Sequence, residues 1–361
     1  MCGTCATADR LVLLRDARRV ADGLVAGLAG EPEPGRVQLA KAMDVSTPRG
    51  FDRAVAVLAA ELRTLARASD AEALREAVAV LDVDWRATTP PERKRLVAAA
   101  MAAAGRVLSR SPERLRAPFG EAASRVIRAT REAVRRDQRL AITASFSALD
   151  RRVLRHVVES QGAFVRDEAG RRLEAFGREA RRIVAGGLER GLGREAIAEA
   201  LRGGAAAALV QRAPFYWEVV ASSFIGHSRS FAQMSSYADA GIRQYRIEAV
   251  LDEHTTPTCR FLHGKVFSVG DALRRFERVE ALEDPLDIKR EIPWVRDRVH
   301  PQTGEGRLVA GNGEHRVAVA EVTRASESGF RALVSDAELA DIGIGFPPFH
   351  GLCRSTTIAI V

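Results

Sequence analysis

The sequence predicts an α+β protein in which a mostly helical amino-terminal half is followed by an α+β carboxy-terminal domain with a small sheet. Apolar residues recur at helical spacing through the first two thirds of the chain, and after Gly241 the period changes from 3.6 to 2. Aromatic residues are only 6% of the chain, while Ala, Leu, Val, Arg and Glu fill long stretches, a composition that favours helices.

In chain order, the segment up to about Leu28 reads as one amphipathic helix, ended by Gly30-Glu31-Pro32-Glu33-Pro34-Gly35 as a linker. Ser46-Thr47-Pro48 is a helix start with a proline in the first turn. From there to about Gly162 one apolar face is Val55, Leu58, Leu62 and Leu65, and another is Ile142, Phe146, Leu149 and Val153. Pro90-Pro91 and Ser111-Pro112 divide this stretch into separate helices. A further helix carries Leu173, Phe176, Ala180, Ile183 and Val184, broken by Gly191 and Gly193. A short helix over 194–202 is expected to stop at Gly203-Gly204. The helix over 214–240 places Phe224, His227, Phe231 and Met234 on one stripe, with His227 as a core histidine, before Gly241 caps it. Tyr245, Ile247, Ala249 and Leu251 then alternate with Arg246, Glu248 and Val250 as a strand. Residues 316–322 and 356–361 read as further strands around a loop-rich middle containing Gly304, Gly306, Gly311 and Gly313. The expected organisation is an amino-terminal helix and linker (1–45), a helical region (46–164) and a carboxy-terminal α+β domain (165–361).

The formal charge is +8, carried almost wholly by arginine, so nucleic acid and acidic protein surfaces are the partners that charge alone would favour. The arginines of 131–139, 151–155 and 171–182 mix with Glu and Asp, as solvated helix faces do, and few aromatics interleave with them to stack single-stranded bases. No stretch is long and apolar enough to span a bilayer, and no secretory leader is visible. Four cysteines, Cys2, Cys5, Cys259 and Cys353, are too few for a disulfide framework and point to a reducing compartment. The bacterial cytoplasm, or a particle assembled in it, is the expected location. No phosphate-binding glycine loop, zinc-protease helix or nucleophile elbow is present, so no enzymatic motif has positive support. Cys2-x-x-Cys5 has no second pair nearby.

Two clusters carry the chemistry: Asp252-Glu253-His254-Thr255-Thr256-Pro257-Thr258-Cys259-Arg260-Phe261-Leu262-His263-Gly264, and Phe346-Pro347-Pro348-Phe349-His350-Gly351-Leu352-Cys353-Arg354. Cys259-x-x-x-His263 and His350-x-x-Cys353 each have chelate spacing, and tetrahedral zinc accepts two thiolates and two imidazoles. The candidate ligand set is therefore Cys259, His263, His350 and Cys353. The same residues also fit reduced thiols in a core, one Cys259–Cys353 disulfide, or no meeting of the clusters at all. Asp252, Thr255, Arg260, Gly264 and Arg354 are expected to fix the turn as a structural network, since guanidinium groups pair well with carboxylates.

The order helix, Gly241, strand, Leu251-Asp252-Glu253-x-Thr255-x-x-x-Cys259-x-x-x-x-Gly264, then Pro347-Pro348-x-His350-x-x-Cys353-Arg354, resembles the phage head morphogenesis family of Mu F-like minor head proteins. The resemblance covers about 165–361, including the helix start at 191–198. It implies a minor head or capsid assembly protein of a phage or prophage-derived particle that binds the portal and the major capsid or scaffold proteins, with DNA a further contact through the Arg-rich faces. In that family the signature also carries cysteines at the positions of Thr256 and Ser355. A toxin or effector in which such a domain is fused to a nuclease or transferase is the rival reading. It would need an acid-base set that the first half, with His156 as its only histidine before 165, does not supply.

Overall fold

The computed structural model describes residues 44–361, apart from 214, 301, 303–304, 312–314 and 324–328. The expected helix before Leu28, the linker at 30–35 and the Cys2/Cys5 pair lie outside the described residues. The fold is α+β, helical in the first half with small antiparallel sheets in the last third.

The helices are α1 (Pro48–Leu81), α2 (Pro90–Leu108), α3 (Ser111–Asp137), α4 (Ala148–Glu189), α5 (Arg194–Ala200), α6 (Ala206–Val210) and α7 (Tyr216–Asp239). Proline starts α1 and α2 as expected, and α2 adds a capping box in which Thr89 and Glu92 satisfy each other's ends. Residues 138–147 depart from the expected helical face, so Ile142 and Phe146 are not helical. The reason lies in their backbone partners. The Thr143 carbonyl accepts from the Arg131 guanidinium, and Ser147 and Asp150 cap α4 reciprocally. The chain does not stop at Gly203-Gly204 either: a five-residue π-helical segment, Leu201–Ala205, carries α5 into α6. There Gly204 allows close approach to Ile183, whose Cδ1 would lie 2.8 Å from an added Cβ.

The chain forms two compact units that are discontinuous in sequence. The second unit comprises 60–119 and 159–213. Its core is rich in alanine, with Ala73, Ala77, Ala100, Ala104 and Ala180 packed around Trp85, Val97 and Phe176, which lets helices approach with few aromatics. It also buries a ring of charges. Arg172 pairs with Asp70 at 3.0 Å and Glu168 at 2.7 Å, and Arg212 pairs with the same two carboxylates.

The first unit contains 120–158 and 214–361, together with the start of α1. The boundary expected at 164/165 therefore falls inside the continuous helix α4, because periodicity identifies helices without saying which of them pair. Helix α7 is its buried axis, with Phe224, Phe231, Met234 and Tyr237 in the core. Beyond Gly241, at φ +70°, strand β1 (Gln244–Glu248) lies between β2 (Val266–Ser268) and β7 (Thr356–Ile360). Between them come α8 (Pro257–Leu262), α9 (Val269–Glu280), α10 (Pro285–Glu291) and α11 (Asp336–Ile342). The expected loop-rich middle holds a second antiparallel sheet in the order β3 (Val295–Val299), β4 (Gly306–Ala310), β5 (Val317–Val322), β6 (Phe330–Ala332). Among the described residues no helix is long and apolar enough to cross a membrane.

Candidate metal centre

The first cluster is built on a turn and one short helix. Asp252 accepts from the His254 N–H, and its own N–H donates to Thr255 Oγ1 at 2.8 Å, while that hydroxyl donates to the Val250 carbonyl. The Arg260 guanidinium reaches back to the Asp252 carbonyl at 2.8 Å and the Thr255 carbonyl at 3.3 Å. Thr256 then caps α8, its Oγ1 accepting from the Cys259 N–H at 3.3 Å, with Pro257 in the first turn. Cys259 is thereby held, buried, in the first turn of the helix. Gly264 closes the segment at φ +80°, where its N–H donates to the Ile247 carbonyl of β1 at 2.9 Å.

The second cluster is laid against α7. Gly226 of α7 would bring an added Cβ to a tight 3.2 Å from Pro348, and Gly351 would bring one to 2.8 Å from Val219, so a side chain at Gly351 would force a shift where the chain passes α7. The Pro347-Pro348 peptide is cis. The Val295 N–H donates to the Phe349 carbonyl at 2.8 Å, and the Cys353 N–H to the His350 carbonyl at 3.3 Å, so His350 and Cys353 share one turn. Helix α7 then grips the exit strand through a stripe at i, i+4 and i+8. Arg229 donates to the carbonyls of Ser355, Arg354 and Val45, Gln233 to Thr356 Oγ1 and the Thr357 carbonyl, and Tyr237 to the Thr357 carbonyl. Arg229 is fully buried and sits 4.4 Å over the Phe51 ring. Burial lowers its pKa to about 10, opposed by the neighbouring Cys353 and Asp52, so it stays charged at neutral pH.

These supports bring the two clusters together. Cys259 Sγ lies 3.7 Å from Cys353 Sγ and 3.1 Å from His350 Nε2, and the three donor atoms all fall within 4.8 Å of one another. This Cys-His-Cys group is able to hold a metal ion. Both cysteines are free thiols. Arg354 donates one nitrogen to both Asp252 oxygens, at 2.7 and 2.6 Å, which locks the second cluster onto the turn of the first.

His263 is not in the donor group. The i to i+4 spacing from Cys259 would bring it there on a continuing helix, but His263 leaves the helix at φ −58°, ψ 133°. Its Nδ1 accepts the Ala249 N–H at 3.2 Å instead. Thr256 and Ser355, by contrast, both stand at the group. Thr256 Oγ1 is 3.2 Å from His350 Nε2. Ser355 Oγ is buried without a hydrogen bond of ordinary geometry, yet lies close enough to both sulfurs to favour their thiolates.

The two thiols are shifted in opposite directions. Burial opposes charge on Cys353, but the Cys259 S–H, the His350 ring, the Phe349 backbone and the Ser355 hydroxyl outweigh it and pull its pKa well down. Cys259 is pushed up, first by its hydrogen bond to Cys353 and then by burial. A metal needing both thiolates would therefore displace a proton from Cys259.

Arg229 is the supporting residue that sequence reasoning passed over. Its signal was an arginine inside an otherwise apolar and small-residue helix, four residues before Gln233. His227, expected as a core histidine, stacks on Phe231 with ring centroids 6.1 Å apart.

No family model, no curated protein and no solved structure matches this chain.

Proposed function

We propose that the chain is a minor head protein of a phage or prophage-derived particle, acting by docking onto the portal and the major capsid or scaffold proteins, with its carboxy-terminal clusters stapled by one zinc ion. The observation that supports this reading is convergence. The two segments that carry the resemblance meet sulfur to sulfur at 3.7 Å across 94 residues of chain, and Arg354 and Asp252, one from each, form a charge-assisted clamp beside them. Residues that match a signature by chance have no reason to meet. The surrounding elements hold the clusters in place through the α8 cap, the Arg229 contacts and the Arg354–Asp252 pair.

Zinc is the ion that suits the group. Two thiolates and an imidazole nitrogen are soft and borderline donors that favour it over calcium or magnesium, which take oxygen ligands. Its role here is to cross-link the loops, since the unit already has an apolar core around α7.

The assembly role is tested in the strain that carries the gene. Particles purified from the intact strain should contain the chain as a minor component, and deleting the gene should yield heads that are defective or absent. Normal heads from the deletion strain, with the chain absent from wild-type particles, would contradict it.

A further inference from the structure

We propose that a metal held by Cys259, His350 and Cys353 keeps its fourth position open to an exchangeable small donor, a water molecule or a monovalent anion. This rests on the metal reading above and adds to it that the centre is not closed by protein.

Three observations carry it. First, tetrahedral sites take four donors, and three protein donors converge among the described residues. The side chain spaced to be the fourth, His263, lies outside the donor group, its Nδ1 accepting the Ala249 N–H. Asp297, on β3, accepts from the Thr258 hydroxyl and is likewise outside the donor group.

Second, the remaining neighbours are hydroxyls with other work. Ser355 Oγ, buried beside both sulfurs and otherwise without a partner, has its hydrogen free to donate to a thiolate, a supporting role rather than ligation. Thr256 Oγ1 accepts from the Cys259 N–H, and its hydroxyl stands near both His350 Nε2 and the Cys259 sulfur. Once a metal takes the Nε2 lone pair, the Thr256 O–H loses that acceptor. Its hydrogen then goes to the Cys259 sulfur or, at the metal's free face, to a bound anion.

Third, the group is sided. Cys259, Cys353 and Ser355 are buried, whereas Thr256 and His350 are half-buried, so the face they share is the one that solvent reaches.

Cobalt(II) reports coordination directly. The full chain loaded with cobalt is expected to bind one ion and show the visible bands of a four-coordinate thiolate site, and sodium azide is expected to shift those bands saturably. Thr256→Val should weaken azide binding by roughly tenfold, the worth of one hydrogen bond to an anion. Thr256→Ser, which keeps both the cap and the hydroxyl, should restore it. If Thr256→Val fails to fold, the response of the wild-type chain decides. Cobalt bands that azide does not move at any concentration would overturn the open position and leave the metal reading standing. A chain that takes up no cobalt would remove both.

Discussion

Arg229 decides whether the second cluster is held in place. A buried cation bonded only to backbone carbonyls is costly to desolvate, and it persists because three carbonyls in two different segments depend on it. Arg229→Ala should lower unfolding stability by about 3 kcal/mol or more, read from the midpoint in urea, since three buried acceptors lose their donor together. A change below about 0.5 kcal/mol, the scale of ordinary surface substitutions, would show that the grip comes from Gln233 and Tyr237 instead. His156 makes a second prediction at this scale. It is buried edge-on against Phe231 and Phe276, with ring centroids 6.2 and 5.7 Å away, and burial lowers its pKa to about 4 from 6.5, only partly opposed by Glu280. A base with a depressed folded pKa contributes stability that is present above the unfolded value and is lost as pH falls towards the folded one. Stability should therefore fall between about pH 6.5 and 4, and His156→Leu should flatten that part of the profile. An unchanged slope in the variant would assign the acid sensitivity to other groups, with His227, also lowered to about 4, the next to examine.

Among the elements, those with a strong period were legible and those with a special partner were not. Helices α1, α2 and α7 and strands β1, β5 and β7 follow from spacing, proline and Gly241. Strands β3 and β4 were hidden because Arg296, Arg298 and Arg307 make them look like polar loop, while Leu308 and Ala310 supply too short a buried face to reveal alternation. The π-helical turn at Leu201–Ala205, where Gly204 lies close to Ile183, has no counterpart in the local spacing. At the site, Cys259, His350 and Cys353 were legible from chelate spacing. His263 was misplaced because the helix ends under it, a matter of one residue's backbone. Register in the second sheet gives a further test. Arg298 and Arg307 lie directly opposite each other, like charges at a cross-strand pair, and the one acid in that row, Glu321, is shared by Arg307 and Arg331. Arg298→Glu should raise the melting temperature, gaining at most about 1 kcal/mol. A lower melting temperature would mean that Arg298 has a favourable role that the register does not reveal.

For the whole molecule, the two discontinuous units change what a truncation means. Residues 165–361 lack Phe51 beneath Arg229, the Arg131–Asp150 pair buried at 2.8 Å, and Gln138, which accepts from the Ala359 N–H of β7. A fragment 165–361 should therefore lose its cooperative unfolding transition, while 44–361 keeps it. A fragment as stable as the longer chain would restore a sequential domain boundary. The most direct measurement concerns the meeting of the two clusters around an ion. Elemental analysis of the chain purified without chelators should find about one zinc per molecule. Cys353→Ser should lose it while the far-ultraviolet circular dichroism stays helical, because the apolar core around α7 does not depend on the metal. No metal in the wild-type chain, or the same amount in Cys353→Ser, would contradict a centre built from Cys259, His350 and Cys353.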